Sequence, residues 1–260
     1  MTRAQFTRAY AAEERQQRLA HLQRLSYREL QELLSGDPEQ AAVWIRSAAD
    51  CGLAAAQVRL GRMLLTGTGV ALDTGAALAW FERAATQGDA EAMNMVGRCL
   101  ENGWGTPPDP VRAAGQYELS AQRRYDWGEY NFGNLLFDGR GVACDRRLAL
   151  QWYRRAAVQG HARAMNLLGR CLEQGWGCEP DLHAAALWYQ RSAASGYFRA
   201  QFNYAAVLAQ HGHAPAAAIW YRKAAAGGDR AIRRCIVTAL INATHPDLCA
   251  ARTRILASCR

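Results

Sequence analysis

The sequence predicts an all-α protein, an α-solenoid of helix–turn–helix repeats with a 36-residue period and helical caps at both ends. Three observations predict it. Glycines recur in phase as Gly61, Gly97, Gly133 and Gly169, as Gly67, Gly103, Gly139 and Gly175, and as Gly69, Gly105, Gly141 and Gly177. Aspartates recur as Asp73, Asp109, Asp145 and Asp181. Tryptophans recur as Trp44, Trp80, Trp152 and Trp188, with Gln116 in the missing place. Self-similarity at a fixed period of this length is the signature of a repeat architecture. Residues 92–109 and 164–181 are closer to each other than to the rest, as expected if a block of two repeats was duplicated.

Residues 1–24 are rich in arginine, with Phe6, Tyr10, Leu19 and Leu22 as apolar points. They read as a helix covering the open edge of the first repeat; docking a partner, or folding back into a groove, stays open. A short-loop unit follows at 25–52, where Ser26-Tyr27-Arg28-Glu29 has the form of a capping box and Asp37-Pro38 starts the second helix.

Full units begin at 56, 92, 128 and 164. In the first, Ala56, Leu60, Gly61 and Leu64 make one apolar face of helix A. A glycine in mid-helix costs about 1 kcal/mol relative to alanine, so its return at every period implies that helix B approaches the backbone closely there. The Thr66-Gly67-Thr68-Gly69-Val70 turn follows, and Asp73 is the expected N-cap of helix B. Helix B carries Ala77, Trp80, Phe81, Ala84 and Ala85 and ends at Gly88, whose equivalents are Gly52, Gly160, Gly196 and, exceptionally, Arg124. A short-loop unit occupies 200–228, since Trp220 follows Trp188 by 32 residues. Residues 229–260 read as two basic capping helices divided at Thr244-His245-Pro246-Asp247. Atypical terminal units keep a solenoid soluble.

The formal charge of +8 sits at the ends. Residues 222–260 hold eight Lys or Arg against Asp229 and Asp247, whereas 35–221 are balanced. No apolar run reaches the roughly 18 residues of a membrane span, and the N-terminus lacks the apolar core of a secretory signal, so a cytoplasmic location is expected. Eight cysteines without metal-ligand spacing read as free thiols; Cys99, Cys171 and Cys178 fall at apolar core positions, and Cys144 in a loop. No catalytic motif of the common hydrolase, protease or nucleotide-binding types is present, and no cofactor is expected. His211-Gly212-His213 lacks a third ligand, so no metal site is expected either.

The pattern A-x3-L-G-x5-G-x-G-V-x2-D-x6-W-x3-A-A-x2-G, as written by Ala56 to Gly88, resembles the Sel-one-like repeat, a relative of the tetratricopeptide repeat. The resemblance covers about residues 25–228. It implies a right-handed helical scaffold that organises protein complexes, with a concave groove lined by helices A. By analogy with tetratricopeptide units, groove positions fall two, six and nine residues after the first alanine of the motif. The contact candidates are then Asn94, Arg98, Tyr130, Asn134, Phe137, Asn166 and Arg170, with Trp127 and Arg163 one residue before the motif. Asn pairs with a peptide backbone, Arg with carboxylates, and the rings serve as anchors. The competing reading is internal: Arg98 with Glu101 and Arg170 with Glu173 as i,i+3 pairs, and Asn94 and Asn166 hydrogen-bonded across repeats.

The resulting expectation is a non-enzymatic, bacterial-type scaffold or adaptor that binds a partner peptide or helix. Two other classes stay open. One is a nucleic-acid- or acidic-surface-associated factor using Arg230, Arg233, Arg234, Arg252, Arg254 and Arg260. The other is an unrecognised hydrolase. Trp104 and Trp176, between turn glycines, either pack on a neighbouring repeat or stand exposed.

Overall fold

The structure is a computed structural model that describes residues 35–257 and, before them, Gln17, Ala20 and Arg24, which are helical. The N-terminal helix and the capping box expected at 1–34 otherwise lie outside the described residues. Thirteen helices and no strands are present among the described residues. They are α1 (Pro38–Asp50), α2 (Ala54–Thr66), α3 (Thr74–Thr86), α4 (Ala90–Asn102), α5 (Pro110–Gln122), α6 (Asp126–Asp138), α7 (Arg146–Val158), α8 (Ala162–Gln174), α9 (Leu182–Ala194), α10 (Phe198–Gln210), α11 (Ala214–Gly227), α12 (Arg230–Ala239) and α13 (Pro246–Ala257). The even-numbered helices from α2 to α10 are helices A, and the odd-numbered ones from α1 to α11 are helices B. The chain divides into two compact units, Met1–Gly128 with Arg140–Val142, and Glu129–Gly139 with Ala143–Arg260.

In the first unit, the mid-helix glycines mark where an aromatic ring lies against the helix A backbone. Phe81 and Tyr117 are both 0% exposed and lie on Gly61 and Gly97. A Cβ on Gly97 would stand 2.7 Å from the Tyr117 ring. The tryptophan of the repeat therefore does not fill the core; the residue after it does. Trp80 is half-buried, with the Arg83 guanidinium 4.7 Å above its ring.

Asp73 and Asp109 accept the amide hydrogens of Ala76 and Arg112 at 2.8 and 2.9 Å, so each closes the free N-terminus of its helix B. The second glycine of the turn packs backbone on backbone: a Cβ on Gly105 would collide with the Thr74 carbonyl, and one on Gly69 or Gly141 with the Pro38 or Pro110 carbonyl. Each of these turns thus rests on the start of the preceding helix B, which sets how successive repeats stack. Arg124 keeps the left-handed conformation of the glycines it replaces, at φ 62°.

The second unit repeats this construction. Tyr153 and Tyr189 lie on Gly133 and Gly169, and Asp145 and Asp181 cap α7 and α9 at 2.8 and 2.9 Å. The short-loop repeat puts Ala205 at the glycine position, opposite the buried Tyr221. Ile236 of α12 and its C-cap residue Leu240, with Leu248, Ala251 and Ile255 of α13, complete the core at the C-terminal end.

Two substitutions test this account. Gly97→Ala is expected to lower stability by about 1–3 kcal/mol in urea unfolding, although alanine favours a helix by about 1 kcal/mol. A stabilised variant would show that Tyr117 moves freely. Arg124→Gly is expected to raise stability by about 0.5–1 kcal/mol, because it removes a side chain from a left-handed position. A loss measured the same way would mean that the Arg124 side chain, rather than the backbone, governs that corner.

Candidate functional site

In the second unit a cavity of about 360 Å³ lies among α8, α10 and α12. Three arginines line it, Arg163 and Arg170 from α8 and Arg199 from α10. Arg163 and Arg199 each stand one residue before the motif alanine, and Arg170 follows about two turns after Arg163 on α8. Tyr130, Tyr197 and Phe202 supply rings. The Tyr130 ring stacks on His161 at 4.8 Å and 28°. His161 is the N-cap of α8, its Nδ1 accepting the Ala164 amide hydrogen at 3.1 Å, so that wall is anchored to the start of the helix bearing Arg163. Asn166, only 4% exposed, lines the cavity and accepts a hydrogen bond from Asn203 Nδ2 at 2.9 Å. Burial pushes the Tyr197 phenol above its ordinary range, which keeps it a neutral donor. Asp229 alone among the lining residues is acidic, and its carboxylate accepts the Ile232 amide hydrogen at 3.0 Å as the cap of α12. The cavity is therefore basic and aromatic, suited to carboxylates flanked by apolar surface.

Of the residues expected to meet a partner, Tyr130, Asn166 and Arg170 come together here. Asn134 instead accepts a hydrogen bond from the Tyr153 hydroxyl at 2.9 Å. Phe137 lies edge-on to Trp176, with ring centroids 5.3 Å apart at 61°, beneath the Arg146 guanidinium at 5.1 Å. In the first unit Asn94 is buried, at 3% exposure, whereas Trp127 is 37% exposed. Arg98 lies over the Trp104 ring at 5.2 Å, and Arg170 over Trp176 at the same distance. Both tryptophans are half-buried. Glu101 receives the Tyr117 hydroxyl and Arg140, each at 2.7 Å, and Glu173 receives the Tyr189 hydroxyl at 2.9 Å. These carboxylates thus orient the core rings of their own repeats. Arg199, Tyr197 and Asn203 were not anticipated. Arg199 shares the register of Trp127 and Arg163 and could have been found by it; Asn203 could not, since its role depends on Asn166 of another helix.

The basic C-terminal helices are partly engaged in holding themselves together. Arg233 donates to the carbonyls of Ala225 and Gly228 at 3.0 and 3.3 Å, and Arg252 to those of Leu240 and Ile241 at 3.2 and 2.6 Å. Both satisfy the carbonyls at the end of a preceding helix, where a cation is favoured. Arg230, Arg234 and Arg254 are exposed, and Arg260 lies outside the described residues. His211 Nδ1 lies 2.8 Å from the Val207 carbonyl, and no group of three potential metal ligands occurs among the described residues.

Cys99 and Cys171 are buried, and burial pushes their thiols up to about 11 and about 12. Cys178 is half-buried rather than a full core residue, its Sγ 3.8 Å from the Cys171 carbonyl. Cys51, Cys144 and Cys235 are exposed. Iodoacetamide at pH 8 is expected to alkylate Cys51, Cys144 and Cys235 in the folded protein and to spare Cys99 and Cys171, as read by peptide mass spectrometry. A raised thiol in the folded state stabilises fully below the ordinary value of 9.0 and loses that contribution as pH climbs toward about 11 and 12. Early labelling of Cys99 or Cys171 would contradict their burial.

The Sel1 repeat model matches residues 18–53, 54–89, 90–125, 115–161, 162–197 and 199–229. A Sel1 repeat protein from Oxalobacter formigenes superimposes with a TM-score of 0.76 at 28% identity, over 86% of this chain and 91% of that one. The protein c5321, a protective antigen of uropathogenic Escherichia coli strains displaying an SLR fold, superimposes with a TM-score of 0.71 at 26% identity, over 87% of this chain. This chain spans about half of it, 52% of its length. Immunity protein Pa5087 from Pseudomonas aeruginosa shares the fold, with a TM-score of 0.52 at 17% identity over 79% of this chain and 80% of that one. No curated protein sequence matches. Sel1 repeat proteins are generally protein-interaction scaffolds. Helix–turn–helix units with the ring-on-glycine core, matched by the family model along most of the chain, assign the protein: it belongs to the Sel1 repeat family.

Proposed function

We propose that this protein is an interaction scaffold that holds an acidic, aromatic-containing segment of a partner protein in the cavity among α8, α10 and α12. One observation carries the reading: Arg163, Arg170 and Arg199 converge on a cavity walled by Tyr130, Tyr197 and Phe202, whose single acidic lining residue already caps a helix. Each arginine can take a carboxylate bidentately, and the rings supply anchoring area at low entropic cost. The Asn166–Asn203 bond holds two helices A together beneath the site.

The test is fluorescence anisotropy with a labelled Glu- and Asp-rich peptide bearing one tyrosine, at low and high salt. Binding is expected to weaken with salt, and Arg170→Glu to weaken it about tenfold or more, which is about 1.4 kcal/mol. Arg234→Glu, on exposed α12, serves as the control and is expected to bind like wild type. Equal binding by wild type and the folded Arg163→Glu/Arg170→Glu/Arg199→Glu variant would overturn the proposal. Loss confined to Arg234→Glu would transfer recognition to the basic C-terminal helices.

A further inference from the structure

The nearly identical segments 92–109 and 164–181 invite a register-by-register comparison of what surrounds Trp104 and Trp176. The residues around Trp176 fill the space beside it. Phe137 lies edge-on to the indole at 5.3 Å, and the Arg146 guanidinium covers the outer face of Phe137 at 5.1 Å. Two repeats earlier, Leu65 stands in the register of Phe137 and Thr74 in that of Arg146. The tryptophan is kept, and so is the arginine over it, Arg98 for Arg170, each 5.2 Å from its ring. What is missing beside Trp104 is the ring and its covering cation. A cavity of about 420 Å³ lies there, lined by Arg62, Leu65, Thr74, Met95, Arg98 and Trp104. That volume falls within the roughly 300–1,000 Å³ typical of small-ligand sites.

We infer that this cavity is a receptor for an aromatic side chain of a partner polypeptide, which takes beside Trp104 the place that Phe137 takes beside Trp176. Three features of the cavity set the chemistry of the occupant. The retained indole presents an edge-to-face partner for a ring, a geometry worth about 0.5–1.5 kcal/mol beyond the buried area. The Met95 thioether and Leu65 line an apolar seat, and Met95 adapts its shape to a ring. Arg98 lines the cavity with its guanidinium over the indole, and no acidic residue lines it, so the residue flanking the ring is acidic. Arg62, which also lines the cavity, is already paired with Glu91. The predicted ligand element is therefore a Phe or Tyr next to Asp or Glu. The site lies wholly within the first unit and shares no residue with the cavity of the second unit, so it stands or falls independently of the proposal made there.

The test uses the full chain and the capped tripeptides Asp-Phe-Asp and Asp-Ala-Asp, followed through the indole N–H signal of Trp104 in nuclear magnetic resonance, assigned by Trp104→Phe. Asp-Phe-Asp is expected to shift that signal in a saturable way, and Asp-Ala-Asp to leave it in place. The decisive variant is Leu65→Phe/Thr74→Arg, which copies the filled register. It is expected to fold, to gain thermal stability, and to lose the response to Asp-Phe-Asp by tenfold or more. Arg163→Glu is expected to leave the Trp104 response unchanged, which separates this site from the one in the second unit. An unshifted Trp104 signal with wild type at saturating Asp-Phe-Asp would overturn the inference. So would an equal response from Leu65→Phe/Thr74→Arg, or an equal response to Asp-Ala-Asp.

Discussion

The structure depends on one contact made over and over: an aromatic ring of helix B packed against a glycine of helix A. Phe81 on Gly61, Tyr117 on Gly97, Tyr153 on Gly133 and Tyr189 on Gly169 let the two helices of a repeat approach more closely than any Cβ would permit. The cost of a mid-helix glycine, about 1 kcal/mol, is offset by burying a whole ring, which removes some 150–250 Å² of surface from water. The hydroxyl of each tyrosine then needs a partner, because a buried polar group without one is costly. Glu101, Asn134 and Glu173 provide it. Where the ring is Phe81, the residue in the register of Glu101 is Leu65. Burial and the adjacent carboxylate drive the phenols of Tyr117 and Tyr189 far above their ordinary range, so both remain neutral donors.

This requirement reaches into function. Positions that a groove argument would offer to a partner, six and nine residues after the motif alanine, are the ones from which a side chain can reach the tyrosine hydroxyl. Asn134, Glu101 and Glu173 are thereby committed to the fold. Positions one before and two after the alanine carry no such duty, and there Arg163, Arg199, Tyr130, Asn166 and Phe202 gather about one cavity. A similar division holds at the C-terminal end, where Arg233 and Arg252 close helix ends while Arg230, Arg234 and Arg254 remain in solvent.

Repetition also makes departures from the pattern informative. With the backbone held constant by the glycine contacts and the aspartate caps, Leu65 in place of Phe137 and Thr74 in place of Arg146 change the surroundings of an otherwise conserved indole. Likewise Arg124 retains a left-handed corner that glycine occupies elsewhere, which shows that the stacking of neighbouring helices, and not the residue's own preference, sets that backbone angle.

Much of this was legible in the chain alone. The period, the helix–turn–helix unit, the aspartate caps, the close approach at Gly61 and its equivalents, the shortened loop before Trp220 and the two C-terminal helices follow from local rules of spacing, capping and glycine conformation. That Tyr130, Asn166 and Arg170, which line one cavity, share a face followed from the register. The identity of the core ring did not, because Trp80 and Phe81 are adjacent and only the packing of helix A against helix B decides which of them turns inward. The roles of Asn94, Asn134, Asn203 and Arg252 were equally out of reach. Each depends on a partner outside its own helix or on depth below the surface, and a side chain's surroundings are determined by the elements packed against it, which periodicity along one helix does not record.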